Sequence, residues 1–233
     1  CGSQFSKCHK LRYALSRVYA TNYDSVTIHI IGDYADSTGE SFPISMLNNV
    51  SILGSGDNQD ETVIDAEGTS ASSVLVFEDV KNATISNLTI KGGSYDPNGY
   101  IDEDGESDTL GVGGGIYLRD AVNVTIEDVL LTGNIGKRGG GIVCINNNSD
   151  PIIMNNIRIE GNTAQSGSGV HVKKSNVNII NSTITGNTAF GTTLGAGINC
   201  VDNSTLTLTN VIIENNFQSS GIYFNQSNSI LEN

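Results

Sequence analysis

Gly113-Gly114-Gly115-Ile116, Gly139-Gly140-Gly141-Ile142, Gly167-Ser168-Gly169-Val170 and Gly195-Ala196-Gly197-Ile198 repeat one phrase, Gly-x-Gly-aliphatic, and Ser220-Gly221-Ile222 ends the series in degenerate form. Gly115 to Gly141 is 26 residues, the next two intervals are 28 each, and Gly197 to Gly221 is 24. A unit of that length cannot bury its own apolar face, so it stacks on its neighbours.

Outward from the phrase, apolar residues fall into columns. Val74, Ile116, Ile142, Val170, Ile198 and Ile222 form one; Val76, Leu118, Cys144, Val172, Cys200 and Phe224 follow two residues later on the same face. Leu75, Tyr117, Val143, His171, Asn199 and Tyr223 are then expected to point outward. A second strand repeats Val124 and Ile126, Ile152 and Met154, Val177 and Ile179, Leu206 and Leu208; a third apolar element repeats Leu131, Ile159, Ile184 and Ile213. Earlier alternation at Val26-Ile28-Ile30, Val50-Ile52 and Val63-Ile64 predicts irregular first rungs.

Two polar columns punctuate the units: Asn87, Asp128, Asn156, Asn181 and Asn210, and, six residues later, Asn134, Asn162, Asn187 and Asn216. Asparagine tolerates the left-handed backbone of a sharp bend, and stacked asparagines bond to their equivalents one rung away. Both columns are read as structural ladders.

A constant offset between these columns, with variable loops elsewhere, describes a parallel β-helix with about three faces per coil. At these residues the chain resembles the pectin-lyase-like right-handed parallel β-helix superfamily. Its repeats resemble those of polymorphic outer-membrane proteins, which are autotransporter passengers. Their Gly-Gly-Ala-aliphatic and Phe-x-x-Asn phrases have counterparts in Gly114-Gly115-Ile116, Leu131-x-x-Asn134, Ile159-x-x-Asn162, Ile184-x-x-Asn187 and Ile213-x-x-Asn216.

The expected fold is all-β, a three-sheet solenoid over 24–233 with an acidic insertion at 94–112. Residues 1–23 are expected to form a disulfide loop, Cys1 to Cys8, and a capping helix in which Leu11, Ala14, Leu15 and Val18 share one face. Cys144 and Cys200 sit two rungs apart, about 9 to 10 Å, beyond disulfide reach.

With a formal net charge of -13, the surface repels nucleic acid and anionic lipid, and no apolar run reaches the roughly 20 residues of a membrane helix. Asn-x-Ser/Thr acceptors occur at Asn49, Asn82, Asn87, Asn123, Asn147, Asn181, Asn203 and Asn225. Together with a first residue that is not methionine, they point to a secreted or cell-surface glycoprotein. Asn87 and Asn181 lie in a ladder and are expected bare; Asn49, Asn82, Asn123, Asn147, Asn203 and Asn225 are the expected glycan carriers.

The resemblance implies that an enzyme would use clustered carboxylates and basic residues along one exposed sheet. The candidates are Asp79, Arg119, Asp120 and Lys173, flanked by Glu78, Lys174 and Asp202. Adjacent rungs place carboxylates near the roughly 5 to 5.5 Å of a retaining glycosidase, but any stacked pair meets that distance. The chain has no tryptophan and only 6% aromatic residues, which argues against sugar platforms. Asp102, Asp104 and Asp108, around Gly105, offer oxygen ligands for calcium; no other cofactor is expected.

The expectation is a structural filament subunit or adhesin stalk, assembling through stacked ends or continuing into a longer chain. The alternatives are a lyase or hydrolase of acidic glycans and a non-catalytic carbohydrate- or receptor-binding module.

Overall fold

The computed structural model describes residues 9–18, 25–69, 72–95, 113–190 and 194–232. These form a parallel β-helix. An eleven-stranded sheet and a seven-stranded sheet are each parallel throughout, and a third, two-stranded piece joins Thr163–Ala164 to Thr188–Ala189. The disulfide expected between Cys1 and Cys8 lies outside the described residues, as do Asp102, Asp104 and Asp108. Within them, Cys144 and Cys200 are free and buried.

Helix α1, Leu11–Val18, closes one end of the stack and buries Leu11 and Leu15. The carboxylate of Glu40, itself buried, accepts from the backbone N–H groups of Leu11 at 2.5 Å and Arg12 at 3.3 Å. It thus serves donors that a helix start leaves without intrahelical partners.

The repeated phrase now has a physical cause. A Cβ on Gly115, Gly141, Gly169 or Gly197 would lie 2.5 to 2.6 Å from the carbonyl oxygen of the equivalent residue one rung on. No side chain fits there. The first glycine has a separate task, since Gly139, Gly167 and Gly195 have φ of 54°, 56° and 63°, a left-handed turn before the strand.

Inside, Ile116, Ile142, Val170, Ile198 and Ile222 pair in register, as do Leu118, Cys144, Val172, Cys200 and Phe224. The first member of each column differs from the sequence reading: Leu75 pairs with Ile116 and Phe77 with Leu118. Leu75 therefore points inward, and Val76 takes the outward place assigned to it. The run Val74-Leu75-Val76-Phe77 is apolar throughout and has no alternation to fix its face. The register is instead marked by Glu78, which pairs with Arg119.

The two polar columns divide their labour. Asn87, Asp128, Asn156, Asn181 and Asn210 all have φ between 50° and 55°; they make the bend within the long strands and lie partly or fully exposed. The other column is the true internal ladder. Asn134, Asn162 and Asn187 are completely buried, and each Nδ2 donates to the Oδ1 of the next rung, ending at Asn216, at 3.0 to 3.1 Å. The left-handed residue at that corner is the preceding one: Gly133, Gly161, Gly186 and, in the last unit, Asn215.

A further internal ladder went unread in the sequence. The N–H groups of Ala121, Asn147, Ser175 and Ser204 donate in turn to side-chain oxygens of Asn147, Ser175, Ser204 and Ser227, at 2.7 to 3.3 Å. Its signal is a small or polar residue five places after the repeat's aliphatic residue, six in the unit that adds Asn203.

Candidate functional site

From Leu75–Glu78 onward, each strand of the seven-stranded sheet ends at one corner, where the next residue turns left-handed. Asp79, Asp120, Asn146, Lys174, Asp202 and Gln226 occupy that place in successive rungs, with φ of 56°, 52°, 58°, 48°, 57° and 51°. The N–H of Asp79 donates to the carbonyl of Arg119 at 3.0 Å and that of Asp120 to Ile145 at 3.1 Å, so the corner is stitched by backbone. Aspartate and asparagine accept this conformation most readily. Lysine and glutamine at two rungs show that the position demands a bend, whatever the side chain.

The charges at the corner engage one another. Arg119 reaches Glu78 at 3.1 Å and Asp120 at 3.6 Å, and Lys173 lies 4.0 Å from Asp202. Of the candidates from sequence, Arg119 and Asp120 come together. Asp79 shares their corner one rung away, and Lys173 lies two rungs further along. Solvent screens the two partly exposed pairs of Arg119, so each contributes on the order of 1 kcal/mol or less.

The outward face of this sheet is not open. Tyr117 and Val143 are fully buried, and with Val76 and Ile145 they form an apolar cluster apart from the main core. A glycan chain cannot lie on them as they stand. Further along, the same face turns polar: His171 is 2% exposed and Asn199 3%, and Nδ1 of His171 lies 3.1 Å from Nδ2 of Asn199. Burial, and then the nearby charge of Arg138, push the pKa of His171 down to about 3. His171 Nε2, Asn199 Oδ1 and Arg138 Nη1 are buried without hydrogen-bond partners. Sequence reasoning placed His171 and Asn199 on this face and overlooked Arg138, which precedes the Gly139 turn.

The sequons sort differently from the expectation at one position. Asn147 is 1% exposed; its Nδ2 donates to the carbonyl of Leu118 and to Ser175 Oγ, both at 3.3 Å. A glycan there would empty the internal ladder, so Asn147 leaves the set of carriers. Asn49, Asn82 and Asn123 form a column of left-handed residues, the first half-buried and the other two exposed, in which Asn123 donates to Asn82 at 2.8 Å and Asn82 to Asn49 at 2.9 Å. Asn203 and Asn225 are exposed. Asn87 donates to the carbonyls of Gly54 and Gly56, and Asn181 to Asn155.

Among the described residues, no three His, Cys, Asp or Glu side chains gather as a metal site. No helix among them is long and apolar enough to cross a membrane.

Comparison with known proteins agrees with this architecture. A family model described as a right handed beta helix region matches residues 45–194 and 115–233. Among solved structures, a pectin methylesterase from Yersinia enterocolitica superposes with a TM-score of 0.46 at 15% identity, over 94% of this chain and 90% of that one. The enzymatically active domain of tailspike protein 2 from bacteriophage CBA120 gives 0.42 at 13% identity, over 89% of this chain and 38% of that one. A search of curated proteins finds no match. Likeness at that level carries no argument about activity. The family match covers well over half of the chain, which therefore belongs to the right-handed β-helix family.

Proposed function

We propose that this chain is a non-catalytic structural β-helix, a secreted and N-glycosylated stalk or filament unit of the extracellular space or cell surface. The observation that carries the reading is the corner column. Asp79 and Asp120, the best candidates for a catalytic pair, occupy a position that the backbone bend requires in six successive rungs, and Asp120 is engaged by Arg119. The outward face of the same sheet supports it, because Tyr117 and Val143 are buried and offer a glycan no contact. Continuous ladders and a fully buried aliphatic core give a stiff rod, the property that a spacer needs.

In this reading, Asn49, Asn82, Asn123, Asn203 and Asn225 are the glycan carriers, and end-to-end stacking with a second copy or a continuing coil sets the length. Electron microscopy of material secreted from a eukaryotic host tests it, together with glycopeptide mapping. Rods or filaments whose axial repeat is a multiple of the rung spacing, about 4.8 Å, are expected. Dispersed, unglycosylated monomers would contradict the proposal.

A further inference from the structure

The two internal ladders leave almost no polar atom unserved, which makes the outward polar patch an anomaly. An amide nitrogen only donates, so Nδ1 of His171 accepts from Nδ2 of Asn199, and the neutral ring carries its proton on Nε2. The patch then presents two unanswered donors, His171 Nε2–H and Arg138 Nη1–H, and one unanswered acceptor, Asn199 Oδ1. A buried polar atom left without a partner is costly, and native proteins rarely keep several.

We propose that Arg138, His171 and Asn199 form a receptor for a small protonated oxyanion, inorganic phosphate being the simplest. Its charged oxygens accept from the guanidinium and the imidazole, and its own hydroxyl donates to Asn199 Oδ1. Lys173 stands two residues beyond His171 on the same strand, buried like its neighbour, and adds positive potential in a chain whose net charge is -13. The apolar cluster of Val76, Tyr117, Val143 and Ile145 occupies the same sheet and strengthens charge-assisted bonds by excluding water. Sulfate has the same shape but carries no proton at neutral pH, so it would set an anionic oxygen against Asn199 Oδ1. The patch should therefore discriminate between the two. This inference is independent of the structural role proposed above.

The chain has three histidines, so imidazole nitrogen NMR reads the site directly, with His171→Gln identifying the His171 signals. The folded protein, as purified and also refolded in the same buffer, is equilibrated overnight with inorganic phosphate or with sulfate. The expected result is a saturable shift of the His171 Nε2 resonance with phosphate and at least tenfold weaker binding of sulfate. Arg138→Gln should abolish the response. Asn199→Asp should abolish it too, while moving the ring proton to Nδ1 in the same spectrum. Circular dichroism checks that both variants keep the fold. No response to phosphate in either preparation, or equal binding of sulfate, would overturn the proposal.

Discussion

Nδ2 of Asn162 donates both to Oδ1 of Asn187, at 3.1 Å, and to the carbonyl of Leu131, at 2.9 Å, so one buried amide ties three successive rungs. Its Oδ1 accepts from the N–H and Nδ2 of Asn134, each at 3.0 Å. Asn162→Ala removes these bonds together and strands buried donors and acceptors above and below. Equilibrium urea unfolding should show a loss of about 3 kcal/mol or more. Asn210→Ala, at the exposed bend, should cost about 1 kcal/mol, chiefly from the left-handed backbone.

Two glycine substitutions separate close approach from backbone conformation. A Cβ at Gly169 would sit 2.5 Å from the carbonyl oxygen of Gly197, whereas at Gly133, with φ of +64°, it would meet nothing within 4 Å. Gly133→Ala should cost about 1 kcal/mol. Gly169→Ala should cost several times more and prise adjacent rungs apart, seen as local loss of amide-exchange protection around Val170 and Ile198.

Stability should rise with pH through the acid range because of His171. Its folded pKa, pushed down to about 3, lies below the unfolded value near 6.5, so between these limits the unfolded chain binds the extra proton. The contribution is fully present above pH 6.5 and falls by about 1.4 kcal/mol per pH unit as acid is added. In phosphate-free buffer, His171→Gln should flatten that slope between pH 4 and 6. An unchanged slope would mean that the ring is not held neutral by its surroundings.

Cys144 and Cys200 should resist thiol reagents in the native state and react on unfolding. Burial raises both thiol pKa values and denies access. Labelling of both at the same denaturant concentration as the loss of ellipticity would mark the coil stack as one cooperative unit.

The sequence made the solenoid legible because its rules are periodic. Close approach excludes every side chain at Gly115, Gly141, Gly169 and Gly197, and a buried amide must find another amide at Asn134, Asn162 and Asn187. Reading failed where periodicity gives no signal. Val74 and Leu75 are equally apolar, so only the pairing of Glu78 with Arg119 resolves their register. Asn147 sits in a sequon and a turn, yet its side chain turns inward to Ser175. The corner acids Asp79 and Asp120 stay ambiguous in sequence because a left-handed bend and a catalytic site favour the same residue, aspartate. Arg138 could not be found at all, because its association with His171 runs between neighbouring rungs.

The most direct test of the non-catalytic account is a turnover assay on a panel of acidic and neutral polysaccharides, following both new reducing ends and unsaturated products, beside an Asp79→Asn, Asp120→Asn double variant. Asparagine keeps the left-handed corner, so the variant should fold with nearly the stability of the parent. The account predicts no turnover above background for either protein. Cleavage of any glycan by the parent that disappears in the folded double variant would contradict it and make the corner a catalytic site.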